Sequence, residues 1–226
     1  MTYATEWNDV YRNNSHMSIW PWSDLVSSVY RYANPRDGYQ RVLELGCGAG
    51  ANIPLFLKEN FDYYSIEGSE NIVKKLIAIY PELSKKILVG DFTNKNSFLK
   101  DNFFDLVVDR GSITCNDTNA ITNTLKHVVE YLRPGGKIIC IDWYSSVHSD
   151  SKTGDYIDAH TRTNLPADSH LNRIGKVHFS DKEHILELFK KSDLIIEKLE
   201  HKEKSQELPN NKIHFASWDI IARKPV

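Results

Sequence analysis

Apolar residues follow two different rhythms along the chain. Between residues 41 and 142, short continuous apolar runs alternate with longer stretches in which apolar residues recur every three or four positions. The continuous runs predict buried strands, and the longer spacing predicts amphipathic helices. Strands are predicted at 41–45, 62–67, 86–90, 104–109 and 136–142, and helices at 72–80 and 121–132. This alternation favours a parallel sheet that is covered by helices on both faces and linked by right-handed crossovers.

The rhythm breaks between residues 143 and 179, which are polar and show little periodicity. An irregular stretch of this length inside a compact domain is usually functional or mobile, and we expect it to be a lid over a ligand site. Order returns at Ser180-Asp181-Lys182-Glu183, a good capping sequence for a helix. Two apolar stretches at 194–199 and 213–222 follow without a helix between them. They predict a hairpin in which at least one strand is antiparallel to the rest of the sheet.

The whole chain is predicted to be one doubly wound α/β domain, because 226 residues suffice for a single substantial core. The segment before the first strand is rich in aromatic residues. We expect most of these to pack on the edge of the domain and one or two to lie near the ligand. The expected parts are an N-terminal helical cap, a cofactor-binding core, a substrate lid, and a C-terminal helix with a β-hairpin, at 1–38, 39–142, 143–179 and 180–226.

Composition narrows the possible partners. The formal net charge is −2, which offers no electrostatic reason for a nucleic-acid or membrane partner. No apolar run approaches the roughly 20 residues that cross a bilayer, and no basic segment followed by an apolar one marks a signal peptide. The three cysteines include no Cys-x-x-Cys pair. Such a sparse set fits a reducing compartment, so a cytoplasmic protein without a structural zinc site is expected.

A glycine-rich turn follows the first predicted strand. Residues 41–52 read Arg-Val-Leu-Glu-Leu-Gly-Cys-Gly-Ala-Gly-Ala-Asn, with glycines at 46, 48 and 50. Glycine allows a tight turn and lets a ligand approach the main chain without meeting a Cβ. Asn52 and Pro54 are typical of the start of a helix. A strand, a glycine-rich turn and a helix start together indicate a pocket for a nucleotide-like ligand.

The ends of the other predicted strands carry acids, and ligands of open parallel sheets bind at these carboxyl ends. Glu67 lies about 20 residues after the glycine-rich turn, where an acid can accept hydrogen bonds from ribose hydroxyls. Asp91 can accept from the exocyclic amine of a purine, and Phe92 can pack on its face. A cationic ligand group is expected to be favoured near Glu44 and Asp109, where a pyrophosphate would not be.

Five segments in order resemble the motif series of class I S-adenosylmethionine-dependent methyltransferases. These are the glycine-rich turn, Glu67, Gly90-Asp91-Phe92, the strand that ends at Asp109, and residues 132–137 with the sequence Leu-Arg-Pro-Gly-Gly-Lys. The resemblance covers roughly residues 40–142. It implies S-adenosylmethionine as cofactor and a Rossmann-like methyltransferase fold, with seven mostly parallel strands and an antiparallel C-terminal strand.

The resemblance also assigns roles in cofactor binding. The glycine-rich turn would line the methionine part, Glu67 would bind the ribose, and Asp91 with Phe92 would bind the adenine. Asp109 and Arg110 would lie near the amino-acid end and the transferable methyl. The full expected set is Glu44, Gly46, Cys47, Gly48, Gly50, Asn52, Glu67, Gly68, Ser69, Asp91, Phe92, Asp109 and Arg110.

Two other functions fit the same fold class. A dinucleotide-dependent oxidoreductase would match Gly46-x-Gly48-x-x-Ala51 formally. The acid at Glu44, the early position of Gly50 and the absence of a second substrate domain count against it. A non-catalytic cofactor-binding protein of the same fold is the third alternative, because fold alone does not imply activity.

The methyl acceptor is expected to be a polar small molecule, for O- or N-methylation. The polar 143–179 segment suits a sugar, a nucleotide-sugar or an amine. Asp109-Arg110-Gly111-Ser112 and the upstream Trp20-Pro21-Trp22 are similar to stand-alone bacterial methyltransferases of small-molecule or surface-polysaccharide pathways. A hydroxyl acceptor needs a base. The candidates are His178, His148, Asp109 and Asp142, whereas no ligand spacing indicates a metal site.

Overall fold

The computed structural model describes residues 18–34, 40–172, 174–208 and 213–226. Residues 1–17 of the predicted cap, and residues 209–212 between the two strands of the predicted hairpin, therefore lie outside the described residues. The strands are β1 (Arg41–Leu45), β2 (Asp62–Glu67), β3 (Ile87–Val89), β4 (Phe104–Arg110), β5 (Leu132–Tyr144), β6 (Asp155–Tyr156), β7 (Thr161–Thr163), β8 (Val177–His178), β9 (Ile195–Ser205) and β10 (His214–Arg223). The helices are α1 (Ser23–Tyr32), α2 (Ile53–Lys58), α3 (Glu70–Ile79), α4 (Thr118–Tyr131) and α5 (Lys182–Lys191).

Seven strands form one sheet in the order β3-β2-β1-β4-β5-β10-β9. β1 pairs in parallel with both β2 and β4, so the strand order reverses direction at β1. β10 runs antiparallel to both β5 and β9. The predicted fold class and the reversed C-terminal strand are confirmed. The crevice at the carboxyl ends of β1 and β4 is the place where such a sheet binds its ligands.

Capping side chains fix the starts of the three long helices that follow β2, β4 and β8. Ser69, Asp117 and Asp181 each accept a hydrogen bond from a backbone N–H in the first turn of α3, α4 and α5, respectively. Such caps satisfy donors that a helix leaves unpaired at its N-terminus. The helices therefore begin close to where the sequence predicts them.

Helices cover both faces of the sheet. Apolar side chains of α1, α2 and α3 pack with Val42 and Ile139 on one face. Those of α4 and α5 pack with Leu43 and Trp143 on the other face. Val42 and Leu43 are neighbours in β1, and alternate residues of a strand point to opposite faces. Both faces are therefore buried, as the near-continuous apolar strands predict.

Strand β5 differs from its prediction at both ends. The prediction leaves residues 133–135 as a link between a helix at 121–132 and a strand at 136–142, but the strand already begins at Leu132. The pairing with β4 shifts register between Phe104 and Leu106, and Gly135 has a φ of 75°. The Gly135 N–H donates to the carbonyl of Lys224. Hydrogen bonding to the C-terminal segment thus places residues that locally favour a turn within the strand.

The segment between β5 and α5 is more ordered than its sequence predicts. It contains a 3₁₀ turn at Ser149–Lys152 and the small antiparallel sheet β6-β7-β8. Its Asp158 carboxylate accepts from the Thr118 N–H at the start of α4, and Lys176 pairs with Asp117 at 2.7 Å. We call residues 145–180 the insertion. It is anchored on α4, because its polar side chains satisfy that helix's N-terminus.

No helix in the part of the chain that the structure describes is both long enough and apolar enough to cross a membrane.

Candidate functional site

A cavity of about 220 Å³ opens at the carboxyl ends of the parallel strands. Most of its wall comes from residues at or just after the ends of β1, β2 and β3 on one side and of β4 and β5 on the other. We call these the β1–β3 side and the β4–β5 side. The lining residues are Ser18, Trp22, Glu44, Gly46, Cys47, Gly48, Ala49, Ala51, Asn52, Glu67, Gly68, Gly90, Asp91, Phe92, Arg110, Gly111, Ser112, Cys115, Asn116, Asp142, Tyr144 and Ile174.

Most of the predicted cofactor-binding residues lie in this wall. Ten of the thirteen line it, and Gly50, Ser69 and Asp109 do not. Gly50 packs behind the turn, where an added Cβ would lie 2.6 Å from Leu76 Cδ2. Ser69 caps α3.

The glycine-rich turn is held in a conformation that requires glycine. Gly46, Gly48 and Gly50 have φ values of 69°, 51° and 82°. A Cβ on Gly46 would lie 2.5 Å from the Ser112 Oγ, closer than any real contact allows. The turn after β1 therefore packs directly against the loop after β4. This contact fixes the relative position of the two sides of the cavity.

Glu44 is buried at the floor of the turn. Its carboxylate accepts from the Tyr63 hydroxyl at 2.6 Å and from the Asn52 Nδ2 at 2.8 Å. Burial raises the pKa of Glu44, and these two hydrogen bonds oppose the rise. Asn52 was predicted to cap α2, but its side chain makes no cap hydrogen bond. Its amide holds Glu44 instead, because an unpartnered buried carboxylate is costly.

Glu67 and Asp91 end β2 and follow β3. The Glu67 carboxylate accepts from the Gly48 N–H at 2.9 Å and from the Ser69 N–H at 2.8 Å, so it links the glycine-rich turn to the start of α3. Burial raises the pKa of Glu67. Asp91 accepts from the backbone and hydroxyl of Thr93 through its Oδ1. Glu67, Asp91 and Phe92 thus stand together on the β1–β3 side.

Asp109 shapes the loop after β4 and is not part of the cavity wall. It is fully buried, and its Oδ1 accepts from the N–H groups of Ser112 and Ile113 at 3.0 and 2.9 Å. Burial raises its pKa to about 7. These hydrogen bonds curl the loop so that Ser112 contacts Gly46. The prediction that Asp109 contacts the ligand or acts as base has no geometric support.

An ion pair stands at the wall of the β4–β5 side. The Arg110 Nη2 donates to the Asp142 Oδ2 at 2.8 Å. The Arg110 guanidinium lies over the Trp22 ring, 3.8 Å from its centroid. A guanidinium on an indole face is a favourable cation–π contact. The predicted site residues Arg110 and Asp142 are therefore brought together, with a residue of the N-terminal segment stacked on them.

The two histidine candidates for a base lie away from the cavity wall. His178 is fully buried, with its Nδ1 3.0 Å from the Thr161 Oγ1 and its Nε2 3.2 Å from the His184 Nε2. His148 accepts from the Asp150 N–H and packs against Phe215. Burial lowers the pKa of His178 to about 3 and that of His148 to about 4. Both are neutral core residues of the insertion.

Sequence reasoning missed several lining residues, mostly on the β4–β5 side. Gly111 and Ser112 directly follow a predicted strand, and that position was the available signal. Tyr144 was missed because β5 runs two residues past its predicted end. Ile174 has no local signal, since the fold of the insertion brings it to the wall. The end of β5 contributes Asp142 and Tyr144 to the described lining, and the insertion contributes only Ile174.

The charge of the lining favours a cationic ligand. Among the described lining residues, Glu44, Glu67, Asp91 and Asp142 are acidic and Arg110 is the one cationic side chain. A sulfonium or ammonium group would be stabilised here, whereas a pyrophosphate would be repelled. The two thiols of the lining stay protonated at neutral pH, since burial raises the pKa of Cys47 far above its usual range and that of Cys115 to about 12. Within the described ranges, no group of three His, Cys, Asp or Glu side chains can hold a metal ion.

The comparisons with known proteins agree with this geometry. Residues 16–199 match the family model of a methyltransferase domain. No curated protein matches the chain.

Solved structures of methyltransferases share the fold. One is an S-adenosylmethionine-dependent methyltransferase from Methanosarcina mazei, at 17% identity and a TM-score of 0.64, covering 83% of this chain and 93% of the other. Another comes from Clostridium acetobutylicum, at 15% identity and a TM-score of 0.64, covering 96% of each chain. The third is the 1,6-didemethyltoxoflavin-N1-methyltransferase of Burkholderia thailandensis, solved with 1,6-didemethyltoxoflavin and S-adenosylhomocysteine. It shows 14% identity and a TM-score of 0.63, covering 98% of this chain and 85% of the other.

Proposed function

This chain belongs to the family of methyltransferase domains and is an S-adenosylmethionine-dependent methyltransferase, and we propose that it methylates a polar small molecule held on the β4–β5 side of the cavity. The observation that carries the proposal is the charge of the described lining, four acids against one arginine. S-adenosylmethionine, when bound, supplies an electrophilic methyl group on a sulfonium. An acidic wall is complementary to that cation, and a dinucleotide would bring a pyrophosphate to the same acids.

On the β1–β3 side, we propose that the chain binds the nucleoside and amino-acid parts of the cofactor. Glu67 would accept from the ribose hydroxyls, and Asp91 with Phe92 would hold the adenine. The glycine-rich turn leaves its main chain open to the amino-acid part, because Gly46 and Gly48 carry no Cβ. Glu44, buried beneath this turn, would add negative charge beside the sulfonium.

On the β4–β5 side, the wall combines aromatic surface with hydrogen-bond donors. Trp22, Tyr144 and Ile174 offer apolar contact, and Arg110 with the Tyr144 hydroxyl offers polar contact. Burial raises the pKa of Tyr144, so its phenol stays protonated and can donate. A small ring compound with oxygen substituents fits such a wall, since its faces meet the aromatics and its oxygens meet the donors.

The proton chemistry favours an acceptor that brings its own lone pair. Asp142 is the carboxylate on the β4–β5 side, and Arg110, Lys202 and Ser217 already hydrogen-bond it. Both oxygens of this carboxylate already accept hydrogen bonds, so neither is free to take a proton from an acceptor. We therefore propose that the acceptor atom is an amine nitrogen or an acidic hydroxyl. The similar Burkholderia protein, an N1-methyltransferase, supports a nitrogen acceptor in this fold.

Glu67 gives the sharpest test of cofactor binding. Glu67→Ala should weaken S-adenosylmethionine binding by roughly 10- to 100-fold, the effect of losing hydrogen bonds to a charged group. Isothermal titration measures this, with Glu67→Gln as an intermediate variant. Glu70→Ala is the matched control, because Glu70 is an exposed acid at the start of the next helix. An unchanged affinity of Glu67→Ala for S-adenosylmethionine would contradict the proposal that Glu67 binds the ribose.

The acceptor class is tested by release of S-adenosylhomocysteine. Sugars, amines, phenols and carboxylic acids should be offered in turn with S-adenosylmethionine. We expect turnover with amines or acidic hydroxyls, and a pH profile of kcat/KM that follows the acceptor's own pKa. Fast methylation of a neutral sugar hydroxyl would contradict the proposed proton chemistry and would demand a base.

A further inference from the structure

Asp142 stands in a β-bulge at the wall of the cavity. Trp218 of β10 opposes Trp143, and Ile220 opposes Cys140, so Asp219 alone faces both Ile141 and Asp142. Asp142 has a φ of 58°, in the left-handed region that favours glycine. Bulges beside active sites re-aim side chains, and a side chain persists in this conformation where its surroundings over-determine it.

The surroundings of Asp142 converge on one lysine. Lys202 lies in β9 opposite Ser217, which itself lies opposite Tyr144 of β5. The Lys202 ammonium is 3.3 Å from the Asp142 Oδ1 and 2.7 Å from the Asp219 Oδ1. Lys202 does not line the cavity. It therefore acts on the wall through the two carboxylates of the bulge.

The same lysine also faces helix α1. Asp24, in the first turn of this helix, places its Oδ2 3.8 Å from the Lys202 ammonium. Trp22, which directly precedes the helix, stacks on Arg110, and Arg110 pairs with Asp142. Lys202 contacts Asp142, which pairs with Arg110, and Arg110 contacts Trp22. Trp22 is two residues before Asp24, which contacts Lys202 and completes the set. The start of α1 is thus held at two points, by Asp24 on Lys202 itself and by Trp22 on Arg110, which is linked to Lys202 through Asp142.

We propose that Lys202 is a positioning residue of this active site: it clamps the start of α1 against the cavity and fixes Arg110 at the wall. The inference rests on the proposed function only in taking the cavity as the cofactor and acceptor site. The charge balance supports it, because Asp24, Asp142 and Asp219 surround one ammonium. Removing that ammonium leaves three carboxylates that repel each other. Arg110 then pairs with only one of them, Asp142.

Two properties should change together when the contacts of Lys202 are removed: the hydrogen exchange of α1 and the affinity of the cavity for its ligand. In Lys202→Met, amide hydrogen exchange across Ser23–Tyr32 should accelerate by at least about tenfold, while exchange across Glu70–Ile79 stays at its wild-type rate. The affinity for S-adenosylhomocysteine, measured by titration, should fall several-fold, because the wall formed by Trp22 and Arg110 loosens. Lys202→Arg should restore both properties, since the cation is kept.

Matched variants separate a clamp from a purely structural ion pair. Lys137→Met removes a lysine of similar exposure, which pairs with Glu197 at the other end of the same strands, and should leave α1 unchanged. If Lys202→Met does not fold, Lys202→Met with Asp219→Asn removes the buried unpaired acid. That double variant should fold and still show the accelerated exchange in α1.

The outcomes are distinct. Equal exchange of α1 in Lys202→Met and wild type, or equal acceleration in every helix, overturns the clamp. Failure of the wild-type protein to bind S-adenosylhomocysteine would overturn the proposed function instead, and the exchange of α1 would still decide the clamp.

Discussion

Two independent structural constraints require glycine at position 46. Its φ of 69° disfavours any side chain, and the Ser112 Oγ occupies the place where a Cβ would stand. The two constraints have different origins, since one is local and the other comes from a loop 66 residues further along the chain. The glycine pattern of the sequence reveals the first constraint and not the second.

Gly46→Ala should lower the free energy of unfolding by about 2–4 kcal/mol, from backbone strain and overpacking together. Urea unfolding measures this. Adding Ser112→Gly should recover the steric part and leave the backbone part. Gly90→Ala is the control, because Gly90 has an ordinary φ and its nearest contact would be 3.4 Å. Equal losses in Gly46→Ala and Gly90→Ala would show that the Ser112 contact is not limiting.

At the scale of elements, a cluster of histidine side chains joins the insertion to α5. The His160 and His184 rings stack at 3.5 Å, and His178 contacts His184 across the join between β8 and α5. Burial lowers the pKa of His178 to about 3 and that of His184 to about 4, with further lowering by the neighbouring histidines. Asp158 opposes both shifts and does not overcome them.

His178 should make stability depend on pH with a defined sign. Because its folded-state pKa lies below the unfolded value of 6.5, its contribution is complete above pH 6.5 and is lost as pH falls toward 3. The slope for one such group is at most about 1.4 kcal/mol per pH unit. Comparing urea unfolding of wild type and His178→Gln between pH 5 and 7.5 isolates it, since Asp109 and other groups titrate in both proteins. A pH-independent difference between the two proteins would contradict the shift.

At the scale of the whole molecule, the sheet gathers five chain segments at the carboxyl ends of its parallel strands, where four acids and one arginine line the described part of the cavity. A ligand that binds the folded form stabilises it by about 2.7 kcal/mol at 100 times its dissociation constant. For a chain of this length, that corresponds to a rise in Tm of roughly 5–10 °C.

S-adenosylmethionine should therefore produce such a rise in a thermal melt, and NAD at the same concentration should not. The physical reason is the acidic lining, which disfavours a pyrophosphate. S-adenosylhomocysteine, which lacks the sulfonium charge, is an informative third ligand. A larger rise in Tm with NAD than with S-adenosylmethionine would favour the oxidoreductase alternative.

The sequence predicted those parts of the molecule that local chemistry decides. The ends of β1 and β2 follow from their apolar runs. The glycine-rich turn and the acids after β2 and β3 were found for the same reason, since each directly follows a strand.

The remainder depended on partners distant in the chain. Asn52 is a residue type that often caps a helix, but its side-chain amide hydrogen-bonds Glu44 instead. The histidines of the insertion resemble a polar lid in sequence, yet His160 and His178 pack against each other and against His184 of α5. Lys202 carries no motif at all, and its neighbourhood exists only because β9 and β10 return to the edge of β5.

The burial of all three thiols has a practical consequence. Cys47, Cys115 and Cys140 are buried, and burial raises the pKa of each. Alkylating reagents attack thiolates, so the native protein should resist them at neutral pH. A cysteine introduced on the exposed face of α1 would then be the single point of labelling. A fluorophore attached there could report the movement of this helix without any removal of native cysteines.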